Sequence, residues 1–146
     1  MAKLIYSMIT SLDGCTKATE GDLGFGAADD EEVHTFIDQT FRSVGTYLYG
    51  RRMYETMVFW ETADADPAHP PHVVDFARGW QAADKIVYST TLASVSSGRT
   101  SIQRTFDPDA VRRLKAESDR DLTIDGPTLA AQAVAAGLVH ARYRTR

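Results

Sequence analysis

Residues 46–55 read Thr-Tyr-Leu-Tyr-Gly-Arg-Arg-Met-Tyr-Glu, a short β-branched and aromatic strand that runs directly into a helix. The junction between them carries Gly50, Arg51 and Arg52. Glycine lets a ligand come close to the backbone, a helix start offers free N–H groups, and guanidinium groups donate forked hydrogen bonds to phosphate oxygens. The junction therefore favours a phosphate ligand, although these residues also fit a plain strand–turn–helix with two solvated arginines.

Strands alternate with helices along the rest of the chain. Further strands are predicted at 4–9, 85–89, 100–106 and 122–124. Helices are predicted after Asp29-Asp30, after Gly50, around 73–80, after Asp107-Pro108 and after Gly126-Pro127. This alternation predicts an α/β fold, a three-layer α-β-α sandwich with helices on both faces of a mainly parallel sheet.

Two of these elements carry more specific expectations. The run at 4–9 is almost entirely apolar, which predicts a strand that is buried on both faces and central in the sheet. The helix after Asp30 has Val33, Phe36, Ile37, Phe41 and Val44 at helical spacing, so these side chains are expected on its inner face.

Composition limits the class of protein. The 146 residues suit a single domain spanning 1–146, with 43% apolar and 25% charged residues and a net charge of −4. No basic patch predicts nucleic-acid or membrane binding, and the lone Cys15 excludes an internal disulfide framework. We expect a cytoplasmic protein whose partner is a small molecule or a second copy of the chain, and His69 and His72 lack the further ligands that would predict a metal site.

The turns after the strands carry residues that could bind one common ligand. Ligands of open α/β sheets bind outside the carboxyl ends of the strands, where this chain places Asp13-Gly14, Gly50–Arg52, Ser89-Thr90 and Asp125-Gly126. Two glycine turns, a hydroxyl pair and an arginine pair would surround a phosphorylated cofactor. Asp13 would then be the carboxylate near the reacting end.

Four stretches, in order along the chain, resemble one family. Residues 4–14, 50–55, 85–92 and 121–139 are similar to the opening strand and turn, the cofactor helix start, the adenosine-side strand, and the final glycine loop and helix of the dihydrofolate reductase superfamily. Within it, the chain resembles the reductase domain of riboflavin biosynthesis. Each motif is weak alone, but together they cover most of residues 1–139.

The resemblance implies the three-layer reductase sandwich and an NADPH cofactor. Gly50 and Gly126 would lie near its phosphates, with Arg51 or Arg52 and Ser89 or Thr90 towards the adenosine 2′-phosphate. The residues implied to contact the cofactor are Gly50, Arg51, Arg52, Ser89, Thr90, Asp125 and Gly126. A phosphomonoester carries close to two negative charges, which suits guanidinium donors.

The same resemblance implies a reductase, an oxidoreductase of a small heterocyclic or carbonyl substrate. The family precedents are the pyrimidine intermediate of riboflavin synthesis and a dihydropteridine. Asp13 is the candidate catalytic residue, because it could hold a ring N–H while hydride is delivered, although a turn aspartate is the simpler interpretation. Ser11 and Trp60 are candidate substrate-binding residues.

Two substitutions depart from the family pattern at the predicted cofactor turns. Met53 replaces the usual threonine, which removes a hydroxyl, and Asp125 replaces the first glycine of a pair. A carboxylate there would either repel a phosphate or turn away and bond a ribose hydroxyl.

The end of the chain is a third departure. Residues 140–146 resemble the last strand of the family, while a stretch of a few tens of residues with the usual closing strands is absent between Val139 and His140. Either the chain is a naturally shortened member or the sequence omits a segment. A shortened end should expose a sheet edge, which favours a homodimer. Together the departures leave open an alternative function, a catalytically weak or inactive dimeric protein that binds a cofactor or ligand.

Overall fold

The computed structural model describes residues 2–8 and 31–140. Its centre is a parallel five-stranded sheet in the order β1-β5-β2-β3-β4. The strands are β1 (Leu4–Ile5), β2 (Val44–Gly50), β3 (Asp84–Tyr88), β4 (Thr100–Gln103) and β5 (Asp121–Asp125). The predicted α/β class with a mainly parallel sheet is confirmed.

The described residues also form five α-helices. They are α1 (Glu31–Phe41), α2 (Arg51–Met57), α3 (Pro71–Ala82), α4 (Pro108–Glu117) and α5 (Pro127–Ala135), with 3₁₀ turns at Val58–Glu61 and Ala63–Ala65. The predicted start of α4 is confirmed, because the Asp107 side chain accepts a hydrogen bond from Asp109 N at 2.9 Å and Pro108 occupies the first turn. No helix of the described part of the chain has both the length and the apolar character needed to cross a membrane.

The helices form a layer on each face of the sheet. On one face Leu48, Leu122 and Ile124 pack with residues of α4 and α5. On the other face Tyr47 and Tyr49 pack with residues of α1, α2 and α3. Because successive side chains of a strand point to opposite faces, β2 contributes to both layers. We call these the α4–α5 face and the α1–α3 face.

The prediction that the first strand is central is wrong. β2 occupies the centre, paired with β5 on one side and β3 on the other, and β1 follows beyond β5. Leu4 is fully buried, but Ile5 and Tyr6 are half-buried and 41% of Met8 is exposed, so the predicted burial on both faces holds only for Leu4 among residues 4–8. An apolar run does not determine a strand's place in the sheet, and here β5 inserts between β1 and β2.

The final residues approach β1. His140 N donates to Leu4 O at 2.8 Å, and His140 forms an isolated parallel bridge with Ile5. Residues 141–146 lie outside the described part of the chain. The final strand over 140–146 and the homodimer therefore stay predictions.

Candidate active site

The two predicted glycine turns lie against each other. Tyr49 and Asp125 are register partners at the ends of β2 and β5, which brings the following residues, Gly50 and Gly126, together. Gly126 has φ +103°, a region that side chains rarely adopt, and a Cβ placed on it would lie 3.7 Å from Gly50 N. A Cβ on Gly50 would meet no atom of residues 2–8 and 31–140 within 4 Å. With respect to these residues the backbone is therefore accessible on the Gly50 side of this contact.

Met53 lies next to the Gly126 turn. Its side chain is half-buried and packs against the apolar cluster of the α1–α3 face. Its Cβ would lie 3.9 Å from a Cβ on Gly126. The residue thus contributes packing at a position where a threonine would offer a hydroxyl.

The arginine pair is divided between two environments. Arg51 Nε lies 2.8 Å from Glu55 Oε1, and its Nη1 donates to Thr91 Oγ1 at 2.7 Å. The exposed Arg52 guanidinium has no hydrogen bond or ion pair within residues 2–8 and 31–140. Arg51 is therefore held between α2 and the turn after β3, whereas Arg52 is a free cation with respect to the described residues.

The hydroxyl pair is divided in a similar way. Ser89 is buried, and its Oγ accepts hydrogen bonds from Leu92 N at 3.0 Å and Thr91 N at 3.3 Å. It therefore stabilises the turn after β3. Thr90 is exposed. Of the two predicted contacts to a 2′-phosphate, Thr90 is the more accessible.

Arg104 is a further cation at this edge that the sequence analysis missed. Its Nη1 donates to Ser89 O at 3.0 Å and to Leu92 O at 2.6 Å. Its position directly after the end of β4 was the available signal, because carboxyl ends of parallel strands share one edge. The guanidinium fixes the shape of the Ser89 turn.

Asp125 is turned towards the protein interior. Only 9% of its surface is exposed, and its Oδ2 accepts a hydrogen bond from Thr123 Oγ1 at 2.6 Å. Burial raises the pKa of Asp125 to about 6, although the Thr123 hydroxyl acts in the opposite direction. Of the two orientations left open by the sequence, the side chain turns away, and its described partner is Thr123.

Trp60 belongs to an aromatic cluster on the α1–α3 face, and its carbonyl oxygen accepts a hydrogen bond from Gln81 Nε2 at 3.0 Å, close to the amino end of β3 and so away from the edge that carries Gly50. Its ring lies 4.6 Å from Phe76 and 5.9 Å from His34, measured between centroids. His34 is buried, and burial together with the neighbouring His72 lowers its pKa. The cluster joins α1, α3 and the turn after α2, so Trp60 packs between elements rather than standing free.

His34 also corrects the predicted inner face of α1. Phe36 was expected there, but 56% of its surface is exposed, while His34 is 4% exposed. His34 stands three residues before Ile37 and seven before Phe41, which is the spacing of one helical face. This spacing could have placed His34 on the inner face of α1. A histidine ring is polar, however, and was therefore not counted among the apolar positions of the helix.

The remaining predicted residues fall in one segment. Asp13 and Ser11 lie outside the described residues, as does Cys15. The catalytic role of Asp13 and the substrate contact of Ser11 therefore stay predictions.

Comparison with known proteins agrees with the fold. The family model of the RibD C-terminal domain matches residues 2–142. A crystal structure of a protein assigned to riboflavin biosynthesis, from Shewanella sp. PV-4, superposes with a TM-score of 0.64 at 20% identity, over 95% of this chain and 72% of that one. At this identity the likeness shows a shared fold. A search of the curated proteins found no match.

Proposed function

Because the chain belongs to the RibD C-terminal domain family, we propose that it is an NADPH-dependent reductase of a small heterocyclic or carbonyl substrate. Family membership indicates a reductase of the riboflavin-biosynthesis class. When bound, the nicotinamide would supply the hydride, and the protein would supply placement and polarity.

The observation that carries the proposal is the contact between the two glycine turns. Gly50 and Gly126 lie side by side at the ends of two neighbouring strands, with no side chain of their own and with open space beside Gly50. A pyrophosphate needs such access to backbone N–H groups. The residues present therefore fit a dinucleotide.

The cations at the same edge support NADPH over NADH. Arg51 and Arg52 are both exposed directly after Gly50, and Thr90 is exposed after β3. An adenosine 2′-phosphate at this edge would meet a forked guanidinium donor and a hydroxyl. Arg52 would bind without breaking a described contact, whereas Arg51 would exchange part of its contact with Glu55 or Thr91.

Trp60 stays a predicted substrate contact. Its half-buried ring packs against His34 and Phe76 on the α1–α3 face. Asp13 remains the carboxylate proposed to hold a ring N–H of that substrate.

A second candidate function is binding without turnover. Met53 favours it, because this side chain packs into the apolar cluster where the family usually places a threonine hydroxyl near the phosphates. The two candidates share the cofactor and differ in hydride transfer.

Titration with NADPH and NADH tests the cofactor proposal. We expect NADPH to bind more tightly, and we expect the double variant Arg51→Glu/Arg52→Glu to weaken NADPH at least about tenfold more than NADH, since each lost charge-assisted contact costs roughly 1.5–3 kcal/mol. Arg78→Glu, an exposed arginine on α3, is the matched control. Equal losses for the two nucleotides would show that the pair does not contact the 2′-phosphate.

Turnover separates the two candidates. NADPH consumption in the presence of pyrimidine or pteridine substrates, abolished by Asp13→Asn with cofactor affinity unchanged, supports the reductase. Tight NADPH binding with no consumption across such a panel would favour the binding protein.

A further inference from the structure

Asp125 is a buried carboxyl group that the proposed reaction leaves without a role. It is 9% exposed, and it accepts one hydrogen bond, from Thr123, among the described residues. It forms no ion pair with a lysine, arginine or histidine of residues 2–8 and 31–140. The described residues therefore compensate its negative charge only through the Thr123 hydroxyl.

The carboxyl group is also adjacent to the proposed phosphate position. Asp125 directly precedes Gly126, and its register partner Tyr49 directly precedes Gly50. These two glycines form the contact at which a pyrophosphate would bind. A dinucleotide would thus bring negative charge to a buried carboxylate one residue away.

We propose that Asp125 takes up a proton when a dinucleotide phosphate binds at the Gly50–Gly126 contact, so that the loaded protein holds a neutral carboxylic acid beside its cofactor. The inference rests on the proposed function. Two like charges at low effective dielectric repel strongly, and protonation of one removes the repulsion. The proton comes from the buffer acid, whose conjugate base is released.

The other titratable groups around Asp125 do not compete for this proton near neutral pH. The charge of Asp125 acts on three tyrosines, Tyr6 after β1 and Tyr47 and Tyr49 on β2. Burial raises the pKa of each tyrosine, and Asp125 adds a smaller increase. They therefore stay neutral.

Charges on the helices are of two kinds. Arg51 and Arg52 of α2 remain cationic throughout this range and favour the anion. His34 of α1 and His72 of α3 are further titratable groups in this layer, with ring centroids 4.9 Å apart, and burial lowers the pKa of His34. Each requires its own control, His34→Gln and His72→Gln.

Calorimetry measures the proposed proton directly. NADPH is titrated near pH 7 in buffers with different ionisation enthalpies, which yields the number of protons taken up on binding. We expect the wild-type protein to take up between about half a proton and one proton more than Asp125→Asn, because its carboxyl group is mostly ionised before binding and neutral afterwards. Asparagine keeps the shape and can still accept from Thr123.

Control measurements separate proton uptake by Asp125 from proton uptake by other groups. NADH lacks the 2′-phosphate and removes the contribution of that group's own titration. His34→Gln and His72→Gln should each take up as many protons as the wild type. Affinity for NADPH should fall with rising pH above the Asp125 pKa, by up to about tenfold per pH unit in the wild type, and less in Asp125→Asn.

Thr123→Val provides a second route should Asp125→Asn fold poorly. It removes the hydroxyl donor that favours the charged form, so Asp125 is more protonated before binding and proton uptake near pH 7 becomes smaller. Equal proton uptake by the wild type, Asp125→Asn and Thr123→Val overturns the inference while leaving NADPH binding intact. Failure of both nucleotides to bind overturns the proposed function and this inference together.

Discussion

The two faces of the sheet are built from different chemistry. The α4–α5 face is largely apolar: Leu4, Leu48, Leu122 and Ile124 are each 0% exposed, and the buried polar Thr46, the register partner of Leu122, carries no titratable group. The α1–α3 face buries polar and titratable groups within its packing. Those groups are His34, Tyr47, Tyr49, Trp80, Lys85, Thr123 and Asp125.

Partners on the α1–α3 face are specific. Trp80 Nε1 donates to Tyr49 Oη at 2.9 Å, and Lys85 Nζ donates to the carbonyl oxygens of Trp80 and Gln81 at the end of α3. The Lys85 ammonium also lies 4.3 Å from the Trp80 ring centroid. The difference teaches that one face supplies stability mainly through apolar burial, while the other also holds specific polar contacts within its packing.

Removing a large apolar side chain from the α4–α5 face should have the largest effect. Leu122→Ala deletes a fully buried side chain between the sheet and its helices, and we expect a loss of about 2–5 kcal/mol in the free energy of unfolding. The loss should be independent of pH, because the α4–α5 cluster is apolar. Denaturant titrations near pH 5 and pH 8 check this, and a strongly pH-dependent loss would break the contrast between the faces.

Asp125→Asn, unlike Leu122→Ala, should change the free energy of unfolding in a pH-dependent way. Raising the pKa of this carboxyl group from 3.8 to about 6 costs up to about 3 kcal/mol at neutral pH. Between those pKa values the folded state binds more protons than the unfolded state, so this contribution to stability is present below about pH 4 and is lost as the pH rises through 6. We therefore expect the variant to be more stable than wild type at pH 7.5 and to lose that advantage towards pH 4.

Thermal unfolding across this pH range measures the effect, with Asp84→Asn as the control at an exposed carboxylate. The control variant should track the wild type. A constant difference between Asp125→Asn and wild type would contradict a buried, titrating Asp125.

Tyr49→Phe should have a smaller effect. It leaves the indole N–H of the fully buried Trp80 without its acceptor, which costs about 1–3 kcal/mol. Tyr88→Phe is the matched change on the other face, where the half-buried ring packs against the α4–α5 cluster with no hydroxyl bond among the described residues. Chemical denaturation should give a difference below about 0.5 kcal/mol for the control.

The smallest effect is expected at the outer surfaces of both layers. Glu55→Gln weakens the exposed Arg51–Glu55 pair on α2, and Asp109→Asn weakens the exposed Arg112–Asp109 pair on α4. Each should lower the free energy of unfolding by no more than about 0.5 kcal/mol, and the loss should shrink further in high salt. A much larger loss of unfolding free energy for Glu55→Gln alone would show that the two helix layers also differ at their solvent-exposed surfaces.

Local features of the fold could be predicted from the sequence. The strand and helix at Gly50, the cap at Asp107-Pro108 and the alternation along the chain depend on residues within about one helical turn of each other. The glycine at 126 could also be assigned to a turn. The residues of the candidate site could be placed at the ends of strands, because that position follows from where each strand stops.

Only the tertiary structure decided which of these groups meet. The insertion of β5 between β1 and β2 joined the Gly50 and Gly126 turns and displaced β1 from the centre of the sheet. The same packing turned Asp125 into the interior and brought His34 next to Trp60. Sequence periodicity specifies which side of an element is buried, whereas strand order and the low-dielectric surroundings of a side chain arise only when distant segments pack together.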